Sequence, residues 1–277
     1  MYTTNRFGIA GSPKDFSTTW LEALSSLLAF GAKVSPRGAS TLEYPHATWC
    51  VDSRRPVLRV PERKLSYQFM VAEAFWILTG DNRVATIAPF NRRISDFSDD
   101  GETFFGAYGP RIADQLPYVI CKLVADPCTR QAGLTIWREN PPPTKDVPCT
   151  VAVFFSIRDK KLHGHVFMRS SDVWLGIPYD VFNFSMLIHY VCALYNNAVV
   201  VGDQVEPGLL YLTAASSHLY DSNYEAAQQL TRLPNATLPQ PRTPPALYTD
   251  PAVLLNQLKI LRTSKLGDYL RWWEREQ

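Results

Sequence analysis

The chain has 277 residues, 46% of them hydrophobic and 19% charged, enough for a substantial core and too apolar for a chain disordered throughout. With 28 basic against 26 acidic residues the net charge is +2. That excludes a strongly basic nucleic-acid binder and an acidic tail, while leaving room for a local basic pocket for one phosphate.

The five cysteines, Cys50, Cys121, Cys128, Cys149 and Cys192, form no C-x-x-C pair. This argues for free thiols in a reducing compartment and against a disulfide framework or zinc ribbon. No apolar run reaches the roughly eighteen residues that span a bilayer. The longest, Val181 to Val201, is broken by Asn183, Ser185, His189 and Asn196. The first residues lack the charged-then-apolar pattern of a signal peptide. A soluble cytoplasmic protein of one domain over residues 1–277 is expected, with no membrane and no nucleic acid among its partners.

In chain order, a first helix is predicted over Ser17–Phe30, capped by Ser17-Thr18-Thr19, then a loop carrying Arg37. Thr41–Val60 reads as strands with turns, and Ser66–Thr79 as a second helix ended by Gly80-Asp81-Asn82. A turn-rich stretch runs to Gly109, and Arg111–Ala125 reads as a helix stopped by Asp126-Pro127. Ala132–Trp137 is a short strand. Val151–Ile157 and Leu162–Met168 form a hairpin about Asp159-Lys160-Lys161. Pro178–Tyr195 is a long helix, apolar nearly all round and so buried. Gly208–Ala215 is a strand and His218–Leu230 mostly helical. Asn235–Pro245 is a Pro-rich surface passage. Asp250-Pro251 caps and opens a last helix to about Arg262.

The hairpin count places Cys149 opposite roughly Ser170, beside Arg169. A guanidinium favours the thiolate, the nucleophilic form; the alternative is a small buried cysteine beside a surface arginine. Glu73 is a lone carboxylate in an otherwise apolar helix, so its pKa should rise, as general acid/base work requires; it could instead be a structural carboxylate capped by an arginine. Asp180 opens the buried helix, where a carboxylate suits the helix dipole. His163 and His165 share a strand face as a metal pair could, but no third ligand is evident and no metal is expected. Trp272-Trp273 reads as a packing anchor.

Together these residues resemble the thymidylate synthase family. Val147-Pro-Cys-Thr150 is similar to its nucleophile segment, and Arg169-Ser-Ser-Asp-Val-Trp-Leu-Gly-Ile-Pro178 to the signature that follows. Ala72-Glu-Ala-Phe-Trp-Ile-Leu78 resembles the helix bearing the catalytic glutamate. Asp99-Asp-Gly101 with Gly106-Ala-Tyr-Gly109 matches the tyrosine-bearing loop, and Ser217-His-Leu-Tyr220 the sugar-binding segment. Asp126-Pro-Cys-Thr-Arg130 resembles the stretch that lends an arginine to the partner subunit. The resemblance implies a mixed α/β fold: a large twisted sheet forming a homodimer interface, with helices on its other face.

It also implies roles. Cys149 would add to pyrimidine C6, with Glu73 and Tyr108 organising water and moving protons. Arg37, Arg169, Ser170 and the partner protomer's Arg130 would hold the 5′-phosphate. His218 and Tyr220 would meet the sugar. Asp172 and Tyr179 would hold the folate co-substrate, 5,10-methylenetetrahydrofolate.

Departures from the family pattern refine this. The family reads uracil with an asparagine where this chain has Asp180. A carboxyl that carries or shares a proton suits cytosine, whose N3 accepts and whose 4-amino group donates. Thr150 replaces the histidine usual after the nucleophile. The chain ends Leu270-Arg-Trp-Trp-Glu-Arg-Glu-Gln277 rather than in a short apolar tail. The partner-facing arginine pair is Arg130-Gln131, the indole usual before Asp99-Asp-Gly101 is absent, and the late sugar-contacting tyrosine has no clear counterpart. The expected activity is that of a cytidylate 5-hydroxymethylase acting on CMP or dCMP. The alternatives are a dUMP-methylating synthase and a non-catalytic nucleotide- or RNA-binding relative.

Overall fold

The structure is a computed structural model describing residues 15–232 and 245–265. Trp272-Trp273, the C-terminal tail and most of Asn235–Pro245 lie outside the described residues. The elements are α1 (Phe16–Phe30), β1 (Ala32–Val34), β2 (Thr41–Asp52), α2 (Tyr67–Leu78), α3 (Val84–Ile87), α4 (Tyr108–Ala125), β3 (Gly133–Thr135), β4 (Thr150–Arg158), β5 (Lys161–Met168), β6 (Ser171–Asp172), α5 (Ile177–Ala198), β7 (Glu206–Tyr220), α6 (Tyr224–Arg232) and α7 (Pro251–Leu261).

The strands form one mixed sheet in the order β1-β2-β7-β5-β4-β3, with β6 also pairing β7. The β4–β5 hairpin pairs Arg158 with Lys161 around Asp159 and Lys160, whose φ values of 51° and 58° give the turn that matches strand twist. β5 and β7 run parallel, and the buried helix α5 makes the crossover between them, as parallel neighbours require. One sheet face is apolar: Trp49, Val51, Val153, Phe155, Val166, Leu210 and Leu212 are all buried in a core shared with α5. The close approach of α5 to β5 depends on Gly164, where a Cβ would stand 2.7 Å from Ile188 Cδ1.

By length and composition α5 could cross a membrane, against the reading that its polar residues interrupt the run, yet most of it is buried in the core. Two of those polar residues, Asn196 and His189, make side-chain hydrogen bonds inside the fold. Asn196 donates to Val205 O at 2.9 Å and accepts from Val205 N at 2.9 Å. The His189 ring meets Ser185 O at 2.7 Å.

Two expectations about local structure are corrected. The α1 cap is Asp15, whose carboxylate accepts from Thr18 N at 3.0 Å. Ser17 is buried and its hydroxyl accepts from Arg59 N at 2.9 Å, so it is not free to cap. His218–Tyr220 are not helical but end β7, where they pair with Thr41–Glu43 of β2; the helix starts at Tyr224. Alternating burial along Ser217–Tyr220 is a strand's period, which the polar composition obscured.

Candidate active site

The site gathers at one end of the sheet, where the loop before β4, the start of α5 and the helices α2 and α4 converge. Cys149 immediately precedes β4, and its carbonyl accepts from Arg169 N at 2.8 Å, the juxtaposition the hairpin count predicts. Ser170 Oγ lies 3.7 Å from Cys149 Sγ. The Arg169 guanidinium donates to Val147 O at 2.9 Å, Pro148 O at 3.0 Å and Ser170 Oγ at 3.0 Å. It therefore clamps the loop before Cys149 while presenting its charge beside the thiol.

The thiol itself corrects the sequence expectation. Burial pushes Cys149 above its ordinary pKa, and the opposing pull of Arg169 and Ser170 does not overcome it, with Asp180 and Asp146 adding to the rise. Burial disfavours the charged form more than one nearby guanidinium restores it.

Tyr108 is the first residue of α4 rather than a loop residue. Its hydroxyl accepts from Thr150 N at 3.2 Å and pairs with Thr150 Oγ1 at 3.0 Å, and its ring stacks on Phe184. Thr150, the residue after Cys149, thus holds the tyrosine. The preceding loop is fastened to the Cys149 loop. Gly106 N donates to Asp146 Oδ2 at 2.7 Å and Lys145 N to Asp99 Oδ1 at 3.0 Å. A Cβ at Gly106 would stand 2.4 Å from Asp146 O, so glycine is required there. Asp100 closes its own turn, accepting from Glu102 N and Thr103 N, both at 2.8 Å.

Three carboxyls belong to the site, and two of them, Glu73 and Asp172, act electrostatically on the third, Asp180. Glu73, on α2, is pushed up to about 7 by burial, against the opposing effect of a hydrogen bond from Asn183 Nδ2 at 2.7 Å. Asp180, in the first turn of α5, is raised well above the carboxylate range by burial and then by the charges of Glu73 and Asp172. Asp172 is also raised by burial. Its Oδ1 accepts from Trp174 N at 2.7 Å and Leu175 N at 2.6 Å, while its buried Oδ2 has no partner among the described residues.

His218 pairs with Asp172 across β6 and β7; burial lowers its pKa while Asp172 opposes the fall. Tyr220 packs edge-on against it, ring centroids 5.3 Å apart. Tyr179 packs against Phe69, and its hydroxyl accepts from Ser66 N at 3.3 Å. Arg37 and Arg130 are both exposed. Arg37 lies in a short turn off the β2–β7 end of the sheet with φ 53°, and neither is drawn into the Cys149 cluster. His163 and His165 turn to protein partners: Leu209 N donates to His163 Nδ1 at 3.0 Å, and His165 Nε2 meets Ser156 Oγ at 3.1 Å. No group of three candidate metal ligands occurs among the described residues.

Sequence reasoning missed two polar residues here. Arg63 lies with its guanidinium 4.6 Å over the Trp174 ring and donates to Trp174 O at 2.6 Å. Asn183 donates to Glu73. A polar residue three positions after Asp180 in an apolar helix was the available signal for Asn183; Arg63, in a short turn, left none.

The thymidylate synthase family model matches residues 18–247, spanning every element that builds this site. The chain belongs to the thymidylate synthase family. The deoxyuridylate hydroxymethyltransferase of Bacillus phage SP01 is 30% identical over 232 residues, covering 75% of this chain and 57% of that protein. The protein of the same name from Pseudomonas phage M6 is 33% identical over 213 residues, covering 72% and 58%. The chain thus spans less than three fifths of the length of these two family members.

Proposed function

We propose that this chain is a folate-dependent pyrimidine-nucleotide 5-hydroxymethylase whose substrate is a cytidylate, CMP or dCMP. The hydroxymethyl outcome is supported by the names of the two phage relatives. The base is argued from one observation: Asp180 is a half-buried carboxyl whose pKa is raised by burial and by the charges of Glu73 and Asp172, which favours its protonated form.

A protonated carboxyl offers one donor and one acceptor, which alone could pair with either pyrimidine. Proton affinity separates them. Cytosine N3 carries a basic lone pair, so the proton can sit on Asp180 or on N3, with the 4-amino group donating to the second oxygen in both cases. Uracil N3 already carries a hydrogen and O4 only accepts. Its pairing survives only while Asp180 stays neutral and turns repulsive at O4 when Asp180 ionises.

Cys149 would add to C6, where its electron pair makes C5 nucleophilic. Tyr108 and Glu73 would take the C5 proton. Arg169 and Ser170 would hold the phosphate, with Arg37 and the partner protomer's Arg130 supplied from exposed segments. His218 and Tyr220 would meet the sugar. The residues fit the folate as well: the buried Asp172 Oδ2, without a partner among the described residues, is an acceptor suited to pterin N–H groups, and Tyr179 would pack against the cofactor. Bound 5,10-methylenetetrahydrofolate supplies the one-carbon unit. A homodimer through the sheet's outer face, where Val151, Phe154 and Phe167 are exposed, would bring Arg130 to the neighbouring site.

A second reading, a deoxyuridylate hydroxymethylase, is favoured by the relatives' names. One assay separates the readings. The protein is mixed with 5,10-methylenetetrahydrofolate and, separately, CMP, dCMP, UMP and dUMP; products are weighed and dihydrofolate absorbance followed. A cytidylate gaining one formaldehyde unit without dihydrofolate is expected, and identifies the sugar. The same gain on dUMP alone would overturn the base assignment. A uridylate gaining one methylene with dihydrofolate would overturn the hydroxymethylase reading.

A further inference from the structure

Asn183 is buried, and α5 turns it, one turn beyond Asp180, to the side facing α2. Its Nδ2 donates to Glu73 Oε2 at 2.7 Å, while its Oδ1 is buried without a partner among the described residues. A buried amide with one end committed to a carboxylate and the other unsatisfied is costly in a structural role. It is well suited to orient a water against that carboxylate.

We propose that Asn183 is a positioning residue of the hydroxymethylation: Nδ2 fixes Glu73 as a proton acceptor, and Oδ1 orients the water that adds to the methylene carbon carried on pyrimidine C5. The inference rests on the hydroxymethylase reading. In the step it serves, the water oxygen bonds to the methylene carbon and its proton passes to Glu73. The electron pair of the exocyclic double bond moves into the ring, re-forms the C5–C6 double bond and expels the Cys149 thiolate, which recovers a proton. No oxidant or reductant is needed, in contrast to a methyl product, which requires hydride.

The groups that bear on Glu73 are few. From α5, Asp180 and Tyr179 sense its charge. From α4, Tyr108 senses Asp180. From α7, the flanking Arg262 lies over Phe75. The α3 segment Val84–Ile87 has no titratable side chain. The amide donor of Asn183 is the interaction that favours the ionised form of Glu73 against its burial.

The test compares wild type with Asn183→Leu, near in volume but without donor or acceptor, and Asn183→Asp, which keeps the shape and replaces the amide donor with a carboxyl. Each is assayed with CMP or dCMP and 5,10-methylenetetrahydrofolate across about pH 5.5 to 9, following kcat, KM and product mass. With Asn183→Leu the acid limb of the kcat profile should move up by about one pH unit, a roughly fivefold loss at about pH 7 that approaches tenfold below about pH 6, while nucleotide KM changes little. The hydroxymethyl product should fall relative to unhydrated side products. Asn183→Asp should move the limb further, and serves alone if the leucine variant does not fold. An unchanged acid limb and product pattern in the variants, with wild type making the hydroxymethyl product, would overturn the role of Asn183 alone. A wild type that makes methyl product and dihydrofolate overturns the reading on which it rests.

Discussion

Replacing Glu73 by glutamine should make the protein more stable above neutral pH, and the gain should grow with pH in a calculable way. Glu73 moves from an ordinary 4.5 to about 7 because α2 and α5 strip water from it. A group whose folded pKa is raised contributes stability that is complete below its unfolded pKa and is lost as pH rises through the folded value. The window here therefore runs from about pH 4.5 to about pH 7. At about 1.4 kcal/mol per pH unit, ionising Glu73 costs folding about 3 kcal/mol, of which about 2 is lost by pH 6. Glutamine keeps the acceptor for Asn183 Nδ2 and carries no charge. The difference in unfolding free energy between Glu73→Gln and wild type, from urea titrations at about pH 4.5, 6, 7 and 8.5, should rise by about 2–3 kcal/mol and then flatten. The removed repulsion with Asp180 acts in the same direction. A difference that stays flat across this range would refute the argument, because it would mean Glu73 remains hydrated and ionised in the fold. The same variant should lose turnover, placing the stabilised protein and the inactive one in a single molecule.

Three further outcomes follow from the same geometry. Cys149→Ala should abolish turnover and any covalent nucleotide adduct seen by intact mass; in wild type, iodoacetamide labelling of Cys149 should rise with a midpoint above the ordinary 9.0, the direction burial imposes. Asp180→Asn should shift the ratio of kcat/KM for cytidylate over uridylate toward uracil by about tenfold or more, because an amide cannot share a proton with N3; an unchanged ratio would remove Asp180 from base selection. Phe154→Arg, on the exposed sheet face, should convert a dimer to monomer in sedimentation and reduce activity with it, since a buried unpaired charge costs several kcal/mol.

How much of this was legible beforehand depended on the range of the interaction. The β4–β5 hairpin was readable because period-two alternation and a two-residue turn fix a register locally, and that register carried Cys149 to Arg169. The helices α2, α5 and α7 were readable from caps and apolar runs. Glu73 stood out because a lone carboxylate in such a run demands an explanation, and burial does raise its pKa. The end of β7 was not readable, because Ser217-His-Leu-Tyr220 is polar enough to pass for a helix start and only its pairing with β2 and β6 makes it a strand. The thiol's ionisation failed for a related reason. Sequence adjacency to Arg169 was visible, but the burial that outweighs it is a property of three elements closing over one atom.

That failure bears on how the site would work. In this cluster the pKa values of Glu73, Asp172, Asp180, Cys149 and Tyr108 are all raised. Burial is the leading cause in each case, so the site resists any single ionisation in the free protein. In the proposed complex a phosphate dianion on Arg169 would weaken one of the two influences favouring the thiolate, leaving the Ser170 hydrogen bond. Activation of Cys149 would then come from proton transfer within the bound complex, with the base and the surrounding carboxyls exchanging one or two shared protons. An asparagine at position 180 would take one member out of that exchange. This is why Asp180 and Asn183, one turn apart on α5, are the residues from which substrate choice and the fate of the added carbon are best sought: in the proposed mechanism the first would adjust the proton on the base, the second the proton taken from water.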